Sequence, residues 1–208
     1  MNIITISREF GSGGREIGKR LADLLDYEYY DKEIIAEIAK NKQLDETYVE
    51  AALNNRAWKV APITFRRSFS GYAAATGNQT SLLLEQKRVV ESIGKAGKNC
   101  VVVGRNADVL LGDYAPFNVF VCADVETKLR RCQERAANDE NLTEKQLLKK
   151  MREIDKARAE TREILTGKPF GACNSYHLSV NTSAWDIKEL TEAIAEFAKR
   201  YFSKANGR

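Results

Sequence analysis

A chain of 208 residues that is 43% hydrophobic and 30% charged is long enough for a sizeable core and too apolar for a disordered one. Its formal charge of +4 suits an anionic small ligand and is too weak to argue for nucleic acid. The opening Met1-Asn2-Ile3-Ile4-Thr5-Ile6 lacks the basic leader and apolar length of an export signal, and no stretch has the length of a membrane span, so a cytoplasmic protein without membrane contact is expected.

Ile3, Ile4 and Ile6 predict a buried strand, broken by the turn-forming Gly11-Ser12-Gly13-Gly14. Ile17, Leu21, Leu24 and Leu25 then recur at helical spacing. Glu28-Tyr29-Tyr30 predicts a short strand ending at Asp31, which is placed to cap the helix carrying Ile34, Ile35 and Ile38. From Asn41 to Asn78 the pattern weakens, with a helix expected around Asp45 to Asn54. Arg66-Arg67-Ser68-Phe69 has no period and is read as a mobile insert or loop.

A helix is expected from Leu82 to Ala96, followed by the apolar strand Cys100-Val101-Val102-Val103, which Gly104-Arg105 ends. Asn118 to Cys122 predicts a further strand and Val125 to Arg135 a helix. Thr143 with Gln146 has the form of a capping box opening a long charged helix. Tyr176 to Val180 is the last expected strand. Asp186 with Glu189 opens the final helix, whose Ile187, Leu190, Ile194, Phe197 and Tyr201 are expected to form one apolar stripe. Strands alternating with helices predict a single α/β domain with a mostly parallel sheet covered on both faces. Ligands of such sheets sit at the carboxyl ends of the strands, where the loops at Gly11–Gly14, Asp31, Gly104-Arg105 and Ala123-Asp124 would share one edge.

Cys100, Cys122, Cys132 and Cys173 form no CxxC pair and have no histidines at ligand spacing, so reduced thiols and no metal site are expected. His177, the only histidine, has no partner spaced for a triad and is read as structural. Trp58 and Trp185 are read as packing residues rather than base-stacking platforms. Tyr29-Tyr30 could line a pocket or pack an edge.

A strand, Gly11-Ser12-Gly13-Gly14-Arg15 and a helix make an anion site from backbone alone. Glycines let consecutive N–H groups face inward, and the helix N-terminus adds partial positive charge. The dinucleotide pattern fails at Glu16, which takes its third glycine position. The strict P-loop fails twice: Arg8 stands at the first glycine and Gly14 at the lysine.

The run Ile6-Ser7-Arg8-Glu9-Phe10-Gly11-Ser12-Gly13-Gly14-Arg15 resembles the hallmark of the cytidylate kinase-like family, a divergent branch of the nucleoside monophosphate kinases. The resemblance implies a three-layer α/β/α P-loop kinase-like fold with a five-stranded sheet and a helical lid. Residues 1–208 would be one domain, with a variable acceptor-side insert at about 41–78 and a charged lid helix at about 143–168. Gly11 and Gly13 match the loop glycines, so Gly11, Ser12, Gly13, Gly14 and Arg15 would bind donor phosphates. Asp31 matches an acceptor-site aspartate, with Lys32 beside it. Gly104-Arg105 matches a pair whose arginine holds the acceptor phosphate, and Arg131 falls on a lid-proximal arginine. Asp155 and Arg158 match lid-helix residues that contact the acceptor, and Asn181-Thr182-Ser183 the segment near the donor base.

Departures from the family pattern accompany these matches. Gly14 replaces the kinase lysine, Glu16 the following hydroxyl, and Val103 the acidic residue before the glycine–arginine pair. Lys32 replaces a serine and Glu37 an arginine of the acceptor site, so cytosine selectivity does not carry over. Arg15 either substitutes electrostatically for the lysine or is a solvated arginine on the first helical turn, with Arg8 and Lys19 close in sequence. The mixed charge between Lys145 and Lys168 reads by composition as a solvated face. Through the match of Asp155 and Arg158 it reads as a lid that closes over phosphates, with Arg152 one position from a further lid arginine.

The expected activity is ATP-dependent phosphoryl transfer to a nucleoside monophosphate or similar small phosphate ester, with magnesium carried by the nucleotide. Arg15, Arg105 and Arg158 are the expected catalytic cations. The alternative is a kinase-derived protein that binds a nucleotide or phosphate without transfer. A dinucleotide oxidoreductase is a third reading, which Glu16 and the arginine matches oppose.

Overall fold

The computed structural model describes residues 1–46, 49, 69–135 and 142–206. Most of the expected helix around Asp45 to Asn54, together with Arg66-Arg67-Ser68 and Trp58, lies outside them.

Five strands form one sheet: β1 (Ile3–Arg8), β2 (Glu28–Tyr30), β3 (Cys100–Val103), β4 (Phe117–Cys122) and β5 (Leu178–Asn181). Their spatial order is β2-β3-β1-β4-β5, and every pairing is parallel. The crossovers carry α1 (Gly14–Leu25), α2 (Lys32–Lys42), α3 (Phe69–Lys95), the short α4 (Ala107–Leu110), α5 (Val125–Arg135) and α6 (Glu144–Thr166). The chain closes on α7 (Ile187–Asn206). No helix among the described residues is long and apolar enough to cross a membrane.

The central strands are apolar on both faces because both faces are covered. Ile4, Ile6, Val101, Val103, Val119 and Val121 face α1 and α7 and pack on Ile17, Leu21, Ile194 and Ala198. The alternate residues Ile3, Cys100 and Val102 face α2 and α3 and pack on Ile34, Ile38, Leu82 and Val90. This period of two within each strand fixes the register, in which Ile6 pairs with Val103 on one side and Val119 on the other.

Several expectations are corrected. The helix before β3 covers Phe69–Lys95 rather than starting near Leu82, so Phe69 is helical and not part of the expected loop. The last strand is Leu178–Asn181, shifted from Tyr176–Val180, because the Tyr176 N–H closes a turn onto Cys173 and pairing with β4 begins at Leu178. Phe197 is 57% exposed and leaves the predicted stripe on α7. At 100° per residue it falls about 60° outside the arc that Ile187, Thr191, Ile194, Ala195, Ala198 and Phe202 bury. Trp185 is 58% exposed and is not a packing residue. His177 is held as expected: its Nδ1 accepts the Asn118 N–H at 2.9 Å, and its ring lies against Phe117 and Tyr201. The capping box is present, with Thr143 and Gln146 satisfying each other's backbone N–H groups.

Candidate functional site

A parallel sheet sends the carboxyl ends of its strands to one edge, and here that edge carries a cavity of about 510 Å3. It is lined by Ser7 to Arg15 after β1, Gly104 to Asn106 after β3, Arg131 of α5 and one face of α6 that includes Arg158.

The loop after β1 is shaped by left-handed backbone at Gly11 (φ +75°) and Gly13 (φ +85°). The first intrahelical bond of α1 runs from the Ile17 N–H to the Gly13 carbonyl at 3.0 Å. The amides of Gly14, Arg15 and Glu16 therefore have no carbonyl within the helix and form an anion-binding end. Glu9 ties the loop down: its Oε2 accepts from Lys128 Nζ at 2.9 Å, and its N–H bonds the Val121 carbonyl. The Glu16 carboxylate is paired with Arg20 and Arg135.

After β3 the chain holds three successive residues with positive φ: Gly104 (+76°), Arg105 (+58°) and Asn106 (+54°). For the two non-glycines this costs about 1–2 kcal/mol each. The turn is secured by its surroundings. Gln86 Nε2 donates to the Arg105 carbonyl at 3.3 Å, and the Asn106 carbonyl accepts the Val109 and Leu110 N–H groups. Asp108 Oδ2 accepts from Arg162 Nη1 of α6 at 2.6 Å in a pair removed from solvent.

The arginines meet around Asp31. Arg15 Nε contacts Asp31 Oδ2 at 2.7 Å, and Arg8 Nη2 contacts Asp31 Oδ1 at 3.5 Å. Asp31 occupies the N-cap position of α2, but its carboxylate makes no capping bond, because the two guanidinium groups take it. On α6, Arg158 Nη1 donates to the Arg8 carbonyl and to Asp155 Oδ1, both at 3.0 Å, and Asp155 Oδ1 also accepts the Phe10 N–H at 2.7 Å. The charged helix is therefore bonded to the loop backbone, not simply solvated. Burial lowers the Arg158 guanidinium pKa, with Asp155 opposing, and burial raises the Asp155 carboxyl, with Arg158 opposing.

Of the residues anticipated from sequence, Gly11, Ser12, Gly13, Gly14, Arg15, Arg105, Arg131 and Arg158 line the cavity. Asp31 and Asp155 stand one contact behind it, on Arg15 and Arg158. Lys32 is exposed on the first turn of α2 and does not line the cavity. Arg131 serves the loop's own geometry: Nη1 donates to the Ser12 carbonyl at 3.1 Å and to Thr182 Oγ1 at 2.6 Å. Among the described residues no group of three or more His, Cys, Asp or Glu converges to hold a metal. Sequence reasoning set Arg8 behind Arg15, and it missed Gln86 and the tie from Thr182 to the loop. Arg8 carried a usable signal, a charge at the carboxyl end of an apolar strand; the other two carried none.

The sheet order, the glycine loop and the helices on both faces define the three-layer α/β fold of the P-loop kinases. Solved structures of similar shape agree. A shikimate kinase from Bacteroides thetaiotaomicron is 14% identical with a TM-score of 0.57, the match covering 95% of this chain and 98% of that one. An uncharacterised protein from Eubacterium ventriosum is 23% identical with a TM-score of 0.70, covering 96% and 99%. The chain belongs to the cytidylate kinase-like family, whose model matches residues 3–184. A cytidylate kinase of Haloarcula marismortui is 25% identical over 200 residues, 96% of this chain and 90% of that protein. Family and fold together support a phosphotransferase acting on a small molecule.

Proposed function

We propose that this protein transfers the γ-phosphoryl group of ATP to a nucleoside monophosphate or a similar small phosphate ester. The observation that carries the reading is the convergence on one cavity of the loop Gly11–Arg15 with Arg105, Arg131 and Arg158. Amides at the start of α1 bind the donor phosphates, and the arginines after β3 and on α6 bind the acceptor phosphate. An acceptor oxygen attacks the γ-phosphorus in line with the departing ADP, and fixed cations stabilise the charge spread over the transferring group. Arg15, held by Asp31, faces the same cavity. Asp31 and Asp155 orient Arg15 and Arg158, while Lys32, outside the cavity lining, takes no part in this reading. Magnesium would be carried by the nucleotide and would neutralise charge there, since apolar Val103 offers no carboxylate at the end of β3.

The test is transfer from labelled ATP with magnesium to a panel of nucleoside monophosphates, beside Arg105→Ala. Transfer to one acceptor, reduced on the order of a hundredfold in the variant, is the expected result. The absence of a lysine at position 14 favours a second reading, a phosphate-binding protein without transfer. ATP binding with no product on any acceptor would establish that one instead.

A further inference from the structure

The loop lacks a lysine at position 14 and has an arginine where the first loop glycine belongs, at position 8. In space these two departures are one. A Cβ built on Gly14 would lie 2.6 Å from Arg8 Cβ and 3.0 Å from Arg8 Cγ. Real Cβ atoms do not approach so closely, so side chains at 8 and 14 exclude each other, and the Arg8 side chain fills the space into which a residue-14 side chain would start. It then runs toward the end of β3, where a Cβ on Gly104 would overlap Arg8 Nη1. The side chain thus passes between two glycines, Gly14 and Gly104, that leave it room.

Arg8 is 8% exposed and lines the cavity. Of the charges that act most on it, Arg158, Arg105 and Arg15 are like and Asp31 is opposite. Burial comes first and Arg158 second in disfavouring its charged form. A guanidinium so placed keeps its proton, and an anion in the cavity relieves it. Arg15 is less suited to this role, being 46% exposed with its Nε taken by Asp31. A fixed buried fork also needs no ordering when phosphate arrives, unlike an exposed side chain.

We propose that the loop cation and a loop glycine have exchanged places between positions 14 and 8, so that Arg8 contacts the transferring phosphates and Gly14 exists to let it pass. The inference rests on the phosphotransferase reading for its substrate, but the exclusion between positions 8 and 14 is testable without it.

Four proteins decide the matter: wild type, Arg8→Gly, Gly14→Lys and the double variant that restores the usual order. Thermal unfolding and affinity for ATP and for inorganic tripolyphosphate are read on each by calorimetry, with turnover wherever wild type has it. Gly14→Lys is expected to be the least stable, since two side chains then claim one space, and adding Arg8→Gly should raise its Tm. Arg8→Gly is expected to fold and to lose on the order of a hundredfold in turnover or at least tenfold in tripolyphosphate affinity. The double variant should regain tenfold or more over Arg8→Gly. An Arg8→Gly protein within threefold of wild type in both readouts overturns the proposal. So does a double variant no more stable than Gly14→Lys, or one that folds yet binds no better than Arg8→Gly. Wild type silent on every acceptor overturns the transfer reading alone, because the stability and tripolyphosphate series still judges the exchange.

Discussion

The Thr182 hydroxyl donates to the Ser12 carbonyl at 2.8 Å, joining the glycine loop after β1 to the turn after β5 across 170 positions of sequence. Both residues are buried. Arg131 closes the same junction, reaching the Thr182 hydroxyl, the Ser12 carbonyl and, at 3.0 Å through Nη2, the Thr182 carbonyl. Two donors on the Ser12 carbonyl hold it to the protein, so this peptide does not present its oxygen to an incoming phosphate.

Thr182→Val tests that junction, since it exchanges a hydroxyl for a methyl at nearly constant volume. The Ser12 carbonyl keeps one donor, Arg131 loses an acceptor, and about 1–3 kcal/mol of stability is expected to go. ATP affinity should weaken several-fold, while Thr182→Ser stays near wild type. Urea denaturation and calorimetry read the two effects. An unchanged unfolding midpoint in Thr182→Val would remove the junction's claimed role.

Asp155 is expected to give the site a pH dependence. Burial raises its carboxyl, chiefly against the pull of Arg158, so it takes up a proton above the ordinary aspartate value of about 3.9. Protonation removes the charge that orients Arg158 Nη1. The acid limb of kcat/KM is therefore expected above the ordinary carboxylate range and is expected to vanish in Asp155→Asn. Because the fold disfavours its ionisation, the stability Asp155 contributes is present at acid pH and is lost as pH rises through the raised value. An acid limb that survives unmoved in Asp155→Asn assigns the titration elsewhere.

The Asp108–Arg162 pair clamps the turn bearing Arg105 to α6. Arg162 is 1% exposed and its guanidinium also lies over the Tyr176 ring at 5.0 Å. Removing one partner leaves a buried charge uncompensated, so Asp108→Ala is expected to cost about 3–5 kcal/mol in urea denaturation. The double variant Asp108→Leu/Arg162→Met should recover most of that, because the desolvation cost leaves with the charges. A single variant as stable as wild type would show the pair to be dispensable.

The strands and the helices on either side of the loop were legible because their signals are local. Ile3 to Ile6 and Cys100 to Val103 are apolar runs of strand length, and Thr143-x-x-Gln146 carries its own cap. The glycine loop was legible for the same reason, since Gly11 and Gly13 sit between a strand and a helix. What the sequence could not disclose was pairing at a distance. Arg162 looks like one more charge on a solvated helix until Asp108, 54 positions away, is folded against it. Asp31 has the chemistry of a cap and is diverted by Arg15 and Arg8, which only the sheet order brings to it. Phe197 shows the limit of periodicity itself: its i,i+3 and i,i+4 spacing to Ile194 and Tyr201 reads as one stripe, yet it lies about 60° outside the buried arc.

Cys100 links the core to alkaline stability. It lies at 0% exposure between β1 and β2, and burial, followed by the charge of Glu28, pushes its thiol up to about 12. An unfolded thiol titrates near 8.5, so at roughly pH 8 the native group is held far more firmly as the thiol. Modification of the folded protein by a disulfide reagent should label exposed Cys173 at once and Cys100 at least about a thousandfold more slowly. The linkage has one sign: a raised folded-state pKa contributes stability below the unfolded value and loses it as pH climbs toward the folded one. Stability should then fall from about pH 8.5 upward. Cys100→Val removes that first decline and leaves the later one due to Tyr29 and Tyr30, which burial also raises to about 12. Urea denaturation at intervals between pH 7 and 11 reads both steps, and identical profiles for wild type and Cys100→Val would show that the thiol takes no part.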